Sequence, residues 1–363
     1  MLDAIPKSGD KKTIGIAMSG GVDSSTVAHL MKSVGYEIIG LHMHLVKYTN
    51  SCSRACCSLD TVEDARRVAN QLDIPFYVLN MEEEFEEKVI NPSRQAYKLG
   101  RTPNPCIWCN EHMKFKLLMD RAMDLGCTNL ATGHYVRKID DRIAGDYLLK
   151  TAIDQSKDQS YFLYFLDQEQ LGKLMFPLGW FTKEGTRKMA EKAGLKVYDK
   201  PDSQDLCFDL TVGEPSEEES GKIVDEKGMI IGSHRGIKYF TIGQRKGLNL
   251  AVGYPLYVKA IDAESKKVTV APDGRILARG FSALDIKLIN STAKEKIKSR
   301  DNLVRVKVRY RSDSELARVK FLDKGRAEFE FIRPVRAVCP GQAAVMYIHE
   351  DVLGGGIINR IIY

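Results

Sequence analysis

Seven residues, Ser19-Gly20-Gly21-Val22-Asp23-Ser24-Ser25, set two adjacent glycines, three hydroxyls and one carboxylate between an apolar run, Lys12 to Met18, and a helical pattern. Adjacent glycines let the backbone turn with no Cβ penalty, and the N–H groups that open the next helix then point at an incoming anion, which the helix dipole also favours. The chemistry implied is phosphate binding. No lysine follows the glycines as a Walker A loop requires, so the phosphates must be held mainly by backbone and hydroxyl groups. Asp23 carries a short carboxylate suited to bracing the loop or a Mg2+ that bridges the phosphates.

Thiols form a second constellation. Cys106 and Cys109 stand in a C-x-x-C within Arg101 to Asn110, and Pro103 and Pro105 stiffen the approach. Thiols at that spacing share a metal or exchange a disulfide. Cys207 is alone in a polar run, Lys200 to Phe208, while Cys127 and Cys339 sit beside core-like residues and read as buried small hydrophobes. Cys52, Cys56 and Cys57 cluster near Arg54, a charge that lowers a thiol pKa. Met1 to Lys12 lacks the apolar core of a signal peptide, so eight cysteines in 363 residues point to thiol chemistry or metal binding rather than a disulfide framework.

These residues need elements to position them. Thr13 to Met18, Glu37 to Leu45, Phe76 to Asn80 and Asn129 to Thr132 are β-type runs that alternate with helical stretches, the pattern of a parallel sheet covered by helices. Right-handed crossovers place the loops after such strands along one sheet edge, and Gly20, Met43 and Gly133 fall there. A further helix is expected over Lys183 to Ala193, with Gly194 as its cap. Glu214 to Glu219 is a polar acidic loop, followed by a small Gly-rich segment, Gly221 to Asp273. Leu303 to Arg311 alternates Val304, Val306, Val308 and Tyr310 with basic residues and predicts a strand with one apolar and one basic face. With Arg318 to Leu322, Ala327 to Ile332 and Ala343 to Ile348 it suggests a small closed or nearly closed barrel. The expected fold is an α/β N-terminal domain with a parallel sheet, similar to adenine nucleotide hydrolases, then a small β-rich central domain and a C-terminal β-barrel. The expected domains are 1–205, 206–273 and 274–363.

Charge follows that division. Formal charge is +6, and the stretch from Lys287 to Arg336 holds 15 basic and 7 acidic residues, leaving the rest of the chain at −2. A basic C-terminal module suits a polyanion such as nucleic acid. The hydrophobic fraction is 44% and no apolar run is long enough to cross a bilayer, so a cytoplasmic location and no membrane partner are expected.

The loop resembles the pyrophosphate-binding loop of the ATP pyrophosphatase superfamily, and along nearly its whole length the chain resembles the bacterial-type tRNA-uridine 2-sulfurtransferases, the tRNA-specific 2-thiouridylase family. The matching stretches are Ala17 to Ser25, Gly100 to Pro105 with Cys109 and Asn110, Ala131 to Tyr135, Lys157 to Leu163, Asp202 and Ser203 with Cys207 and Phe208, Tyr239 to Leu248, Arg309 to Arg311, Pro340 to Gln342 and Leu353 to Ile357. The resemblance implies an enzyme that makes 2-thiouridine at the wobble position in the anticodon region of certain tRNAs. It implies that Ala17, Met18, Ser19, Gly20, Gly21, Val22, Asp23 and Ser24, with Met43 and Gly133, bind ATP, which adenylates the C2 oxygen of the uracil. Cys207 then corresponds to the persulfide carrier and Cys109 to its partner, which attacks the persulfide or forms a transient disulfide. Asn104, Pro105 and Cys106 correspond to the segment that holds the flipped-out base; His134, Lys157, Asp158, Gln159, Arg309, Tyr310 and Gln342 correspond to tRNA-contacting positions. A cysteine desulfurase or other sulfur donor is the implied partner.

Two departures qualify the match. Better-known members carry Asp at position 106, whereas here Cys106, Cys109 and Cys207 together supply the three thiolates that a [4Fe-4S] cluster needs when its fourth iron is left open for sulfur. The competing readings are a persulfide pair with Cys106 as spectator, and a structural zinc. Asp209 to Gly221 is also shorter than the helical insert usual in the family, which reduces the central domain. Two other functions fit parts of the chain: another adenylating ligase of the superfamily acting on a small molecule, or a non-catalytic RNA-binding protein. The former needs neither Cys109 and Cys207 nor a basic barrel, and ATP-to-AMP turnover that depends on added tRNA separates all three readings.

Overall fold

The computed structural model describes residues 12–46, 59–201 and 219–363. They form two compact units, one built mainly from residues up to 89 and from 106 to 209, the other from 90–105 and most of the chain beyond 210. The first unit is organised by a parallel sheet. Strands β1 (Thr13–Ala17), β2 (Glu37–His44), β3 (Phe76–Asn80) and β4 (Asn129–Ala131) lie in the order β3-β2-β1-β4, with the short strand Leu174–Met175 on the outer side of β4. All four sequence-predicted strands are present and pair in parallel.

Strand β1 is central, and its Ile14 and Ile16 are fully buried. Helix α1 (Val22–Ser33) turns Val22, Val27, Ala28, Leu30 and Met31 inward onto the same core. The helix Lys183–Lys192 packs beside it and starts on a Thr182 cap, whose Oγ1 accepts the Gly185 N–H at 3.1 Å. It ends as expected, with Gly194 in the left-handed region at φ 67°. Helix α2 (Leu59–Gln71) contributes Val68 and Ala69 to that core.

The second unit contains a four-stranded sheet, in the order Tyr257–Asp262, Lys267–Ala271, Gly221–Val224, Ile230–His234, packed on Ile223, Val258, Val268 and Val270. It also contains a closed barrel of six antiparallel strands, Leu277–Leu288, Ala327–Arg336, Glu315–Phe321, Leu303–Lys307, Ala343–Ile348 and Asp351–Ile362, whose first and last strands pair and remove the sheet edges. One expectation is corrected: the basic strand stops at Lys307, and Arg309, Tyr310 and Arg311 lie in a turn. Val308, one residue past the strand end, is still buried between half-buried neighbours, so the sequence pattern overran the ladder.

The barrel interior is closed by Phe281 stacked on Phe329, with centroids 4.6 Å apart and planes 10° from parallel. Both rings are almost fully buried. Phe329→Ala should therefore cost about 3–5 kcal/mol, a cavity plus a lost stack. Denaturant unfolding that leaves the barrel transition within 1 kcal/mol, on the order of a surface substitution, would contradict this packing.

Candidate active site

The turn between β1 and α1 is shaped by close approach. Gly20 has φ 75°, and a Cβ on it would stand 2.1 Å from the carbonyl oxygen of Thr61, so both backbone conformation and space exclude other residues. Gly21 caps α1 with extended backbone and no side-chain acceptor, which leaves the first-turn N–H groups without a side-chain cap. The serines close the loop: Ser24 Oγ accepts the Ser19 N–H at 3.1 Å and donates to the Gly21 carbonyl at 3.2 Å, and Ser25 Oγ donates to the same carbonyl at 2.9 Å. His42, buried on β2, places Nδ1 2.8 Å from the Met18 carbonyl and steadies the end of β1. Burial lowers the His42 pKa. Met43 is the next residue of β2, opposite Leu79 of β3.

The Asp23 carboxylate is held by two side chains. Lys183 Nζ lies 2.7 Å from both of its oxygens, and the Tyr135 hydroxyl donates to Oδ1 at 2.8 Å. Tyr135 is fixed in turn, with its hydroxyl 3.0 Å from Thr186 Oγ1 and its N–H donating to Gln159 Oε1 at 3.0 Å. Gly133 lies flat against the helix start, since a Cβ there would be 3.0 Å from Asp23 Cβ and 3.1 Å from the Ser24 nitrogen. Lys200 adds a second cation, donating to the Gly20 carbonyl at 3.1 Å and pairing with Asp64 at 2.7 Å. The carboxyl edge of the parallel sheet thus offers first-turn helix N–H groups with no side-chain cap, beside two lysines that are each paired with a carboxylate, a setting suited to an anion.

Beyond the loop, Asp158 is buried and accepts the N–H groups of Ala152 and Ser160 at 3.0 and 3.3 Å and the Ser160 hydroxyl at 2.7 Å. It braces the run that contains Lys157 and Gln159. His134 lies against Phe115 and Phe176, with Nδ1 2.8 Å from Thr132 Oγ1. Burial, reinforced by the Lys114 charge, pushes its pKa well below the ordinary value, so it is neutral at pH 7.

Cys106 and Cys109 lie on one continuous helical stretch, Cys106 half-buried and Cys109 3% exposed. Pro105–Trp108 is α-helical, and from Cys109 to Leu118 the helix widens to π geometry, a distortion common at functional sites. Cys207 lies outside the described residues, as do Cys52, Cys56 and Cys57. Among the described residues no group of three or more His, Cys, Asp or Glu side chains is placed to hold a metal ion. Cys127 and Cys339 are 5% and 1% exposed, as their apolar neighbours predict, and burial raises the Cys127 pKa.

In the second unit, Arg309 Nη2 donates to the Ile242 carbonyl at 2.7 Å, Lys307 Nζ sits 5.6 Å from the Tyr310 ring centroid, and Gln342 is bonded to the segment that leads to Asn104 and Pro105.

Family models cover the chain in the same order. The tRNA methyl transferase HUP domain matches residues 12–210, the tRNA methyl transferase PRC-barrel domain 211–272, and the aminomethyltransferase beta-barrel domain 279–358. A tRNA-specific 2-thiouridylase MnmA of Geotalea uraniireducens is 45% identical across 98% of this chain and 97% of its own. Proteins of the same name from Acetivibrio thermocellus and Rickettsia akari are each 43% identical, over 96% and 97% of this chain and 99% and 98% of theirs. The chain belongs to the tRNA-specific 2-thiouridylase family. The full-length relatives decide this, because they match all three parts at once, whereas each domain model matches one.

Two residues of this family member's site escaped the sequence reading. Lys183 and Lys200 supply the ammonium groups that the absence of a Walker lysine had seemed to exclude. Lys183 lies 160 positions from Asp23, and no local spacing signals that pairing. Its place directly after a helix-capping threonine was the one visible cue.

Because Asp23 and Lys183 balance each other, their loss should be strongly non-additive. Asp23→Ala should stop pyrophosphate release. Lys183→Met should raise the ATP KM by about tenfold, on the order of 1.4 kcal/mol, and the double variant should be no worse than Asp23→Ala. Steady-state pyrophosphate assays would overturn this with additive losses, or with undiminished release in Asp23→Ala.

Proposed function

We propose that the chain catalyses ATP-dependent thiolation of C2 of the wobble uridine in tRNA. The observation that carries this reading is the β1–α1 turn, a glycine-specific anion site with Asp23, Lys183 and Lys200 around it, in a chain whose relatives along its full length are named tRNA-specific 2-thiouridylases. MgATP is the substrate. The first-turn N–H groups of α1 bind its phosphates, Asp23 offers the hard oxygen donors that Mg2+ takes, and Lys183 is close enough to offset charge gained by the leaving pyrophosphate.

A uracil carbonyl oxygen is a poor leaving group. Attack of O2 on the α-phosphorus forms an O–P bond, breaks the α–β bridge and releases pyrophosphate. The terminal sulfur of a Cys207 persulfide then adds at C2, and AMP departs with the original oxygen. The Cys109 thiolate attacks Cys207 Sγ, which frees the thiouridine and leaves a Cys109–Cys207 disulfide for an external reductant. Activation of both thiols as thiolates suits these steps.

The thiol set also fits a [4Fe-4S] cluster in part: Cys106 and Cys109, three residues apart on one helix, would supply two of its ligands and Cys207 a third. Such a cluster would present an open iron to sulfur. Cysteine desulfurase or another donor would reload the sulfur in either case. Asn104, Pro105 and Cys106 hold the base, and Lys157, Arg309 and Tyr310 contact the tRNA backbone. His134, neutral and buried, and Asp158, bonded within its own loop, act by shaping the surface around them. A cytoplasmic location accords with this chemistry; no helix among the described residues is long and apolar enough to cross a membrane.

Turnover of ATP to AMP that requires added tRNA is the expected result, and turnover with a small-molecule acceptor instead would overturn the reading. Cys207→Ser should leave pyrophosphate release intact and abolish thiolation. Iron and sulfide analysis of anaerobically purified protein separates the two sulfur routes, since full thiolation without iron excludes the cluster. Arg309→Ala should weaken tRNA binding and lower the salt slope by about one; an unchanged slope would assign this guanidinium solely to the Ile242 carbonyl.

A further inference from the structure

The segment Gly100 to Asn104 has neither helix nor strand geometry, and Pro103 removes one of the N–H groups through which it could join a ladder. Its polar groups are satisfied from the barrel unit instead. The Thr102 N–H donates to the Pro340 carbonyl at 2.9 Å. Both protons of the Gln342 side-chain amide are spent on it, at 2.9 Å to the Thr102 carbonyl and 3.1 Å to that of Pro103. Thr102 Oγ1 donates to Thr241 Oγ1 at 3.2 Å, and Arg101 Nη2 donates to Asn359 Oδ1 at 3.0 Å.

The clamp itself is rigid. Gln342 donates its N–H to the Cys339 carbonyl at 3.2 Å and accepts the Ile358 N–H at 2.8 Å. Gly341, at φ 94°, touches the strap so closely that a Cβ would stand 3.0 Å from the Thr102 backbone. Arg309 holds Ile242, the neighbour of Thr241, so the turn after the basic strand and the strap belong to one bonded network.

We propose that Gln342 is a positioning residue, and that the turn Pro340 to Gln342 sets the conformation of Thr102 and Pro103 and so the placement of Asn104 and Pro105. This rests on the assignment of Asn104 and Pro105 to the target base made above. A side chain whose two donors are occupied by backbone carbonyls acts through the strap. Its removal alters how the base is presented more than how tightly tRNA is held.

The experiment compares Gln342→Met, of similar length but without donors, with the parent protein by three measurements. Hydrogen exchange of peptides spanning residues 99–106, without tRNA, should accelerate about tenfold on loss of two hydrogen bonds. The tRNA Kd should stay within about twofold, while kcat for tRNA-dependent pyrophosphate release falls roughly tenfold and the ATP KM is unchanged. Thr241→Val, which removes a neighbouring tie, should shift exchange and kcat in the same direction and serves if the first variant does not fold. Unchanged strap exchange overturns the proposal, as does lost tRNA affinity with a reduced salt slope and intact kcat, the signature of direct phosphate contact. A parent protein with no tRNA-dependent turnover would refute the functional reading alone, because the exchange measurement reports on the clamp without it.

Discussion

A carboxylate in the first turn of a helix with no side-chain N-cap can share that helix end with a polyphosphate only if something balances its charge. Asp23 sits where the helix dipole favours negative charge, yet it would repel an incoming triphosphate if left alone. Lys183 cancels that charge with two short contacts, and Tyr135 adds a neutral donor. Much of the first unit serves this triad. The Thr182 cap starts the helix that carries Lys183, Asp154 accepts the Lys183 N–H at 2.9 Å, and Gln159 fixes Tyr135. Lys183 is 9% exposed and the Asp23 side chain 32%, so solvent and salt screen this pair less than one lying wholly on the surface.

The same economy appears in the second unit, where a proline-interrupted strap borrows its hydrogen bonds from a barrel turn. A segment without its own ladder is placed only as well as its anchors are placed. The closed barrel has no free edges and a stacked aromatic core, and it is a stiff anchor for that purpose. A basic barrel read only as a polyanion-binding module would miss this second duty. Arg309 and Gln342 carry polar ends that suit nucleic acid, but the bonds they make are to backbone carbonyls of this chain.

Much of the fold was legible in the sequence because its signals are local. Buried parallel strands read as continuous apolar runs such as Thr13 to Ala17, and Gly194 in the left-handed region marks a helix end. The Gly20-Gly21 pair marked a tight turn after β1, and at Gly20 both backbone conformation and space exclude any other residue. Pattern and ladder parted at Val308, where burial still alternates although pairing has ended at Lys307. Side-chain periodicity reports which face is buried; it does not report whether a partner strand is long enough to continue.

By itself the sequence determined the order and type of the main elements, the glycine turn after β1, the positions of the thiols and the family to which they belong, since each follows from neighbouring residues or from motifs in register. The tertiary structure alone decided which charges meet. Lys183 reaches Asp23 across 160 positions, Lys200 reaches the Gly20 carbonyl across 180, and Gln342 reaches Thr102 across 240. No periodicity or propensity encodes such pairings, because they arise where folded segments converge in space. The physical reason is that hydrogen bonds and ion pairs act over a few ångströms in space, while sequence patterns report only a turn or two of chain.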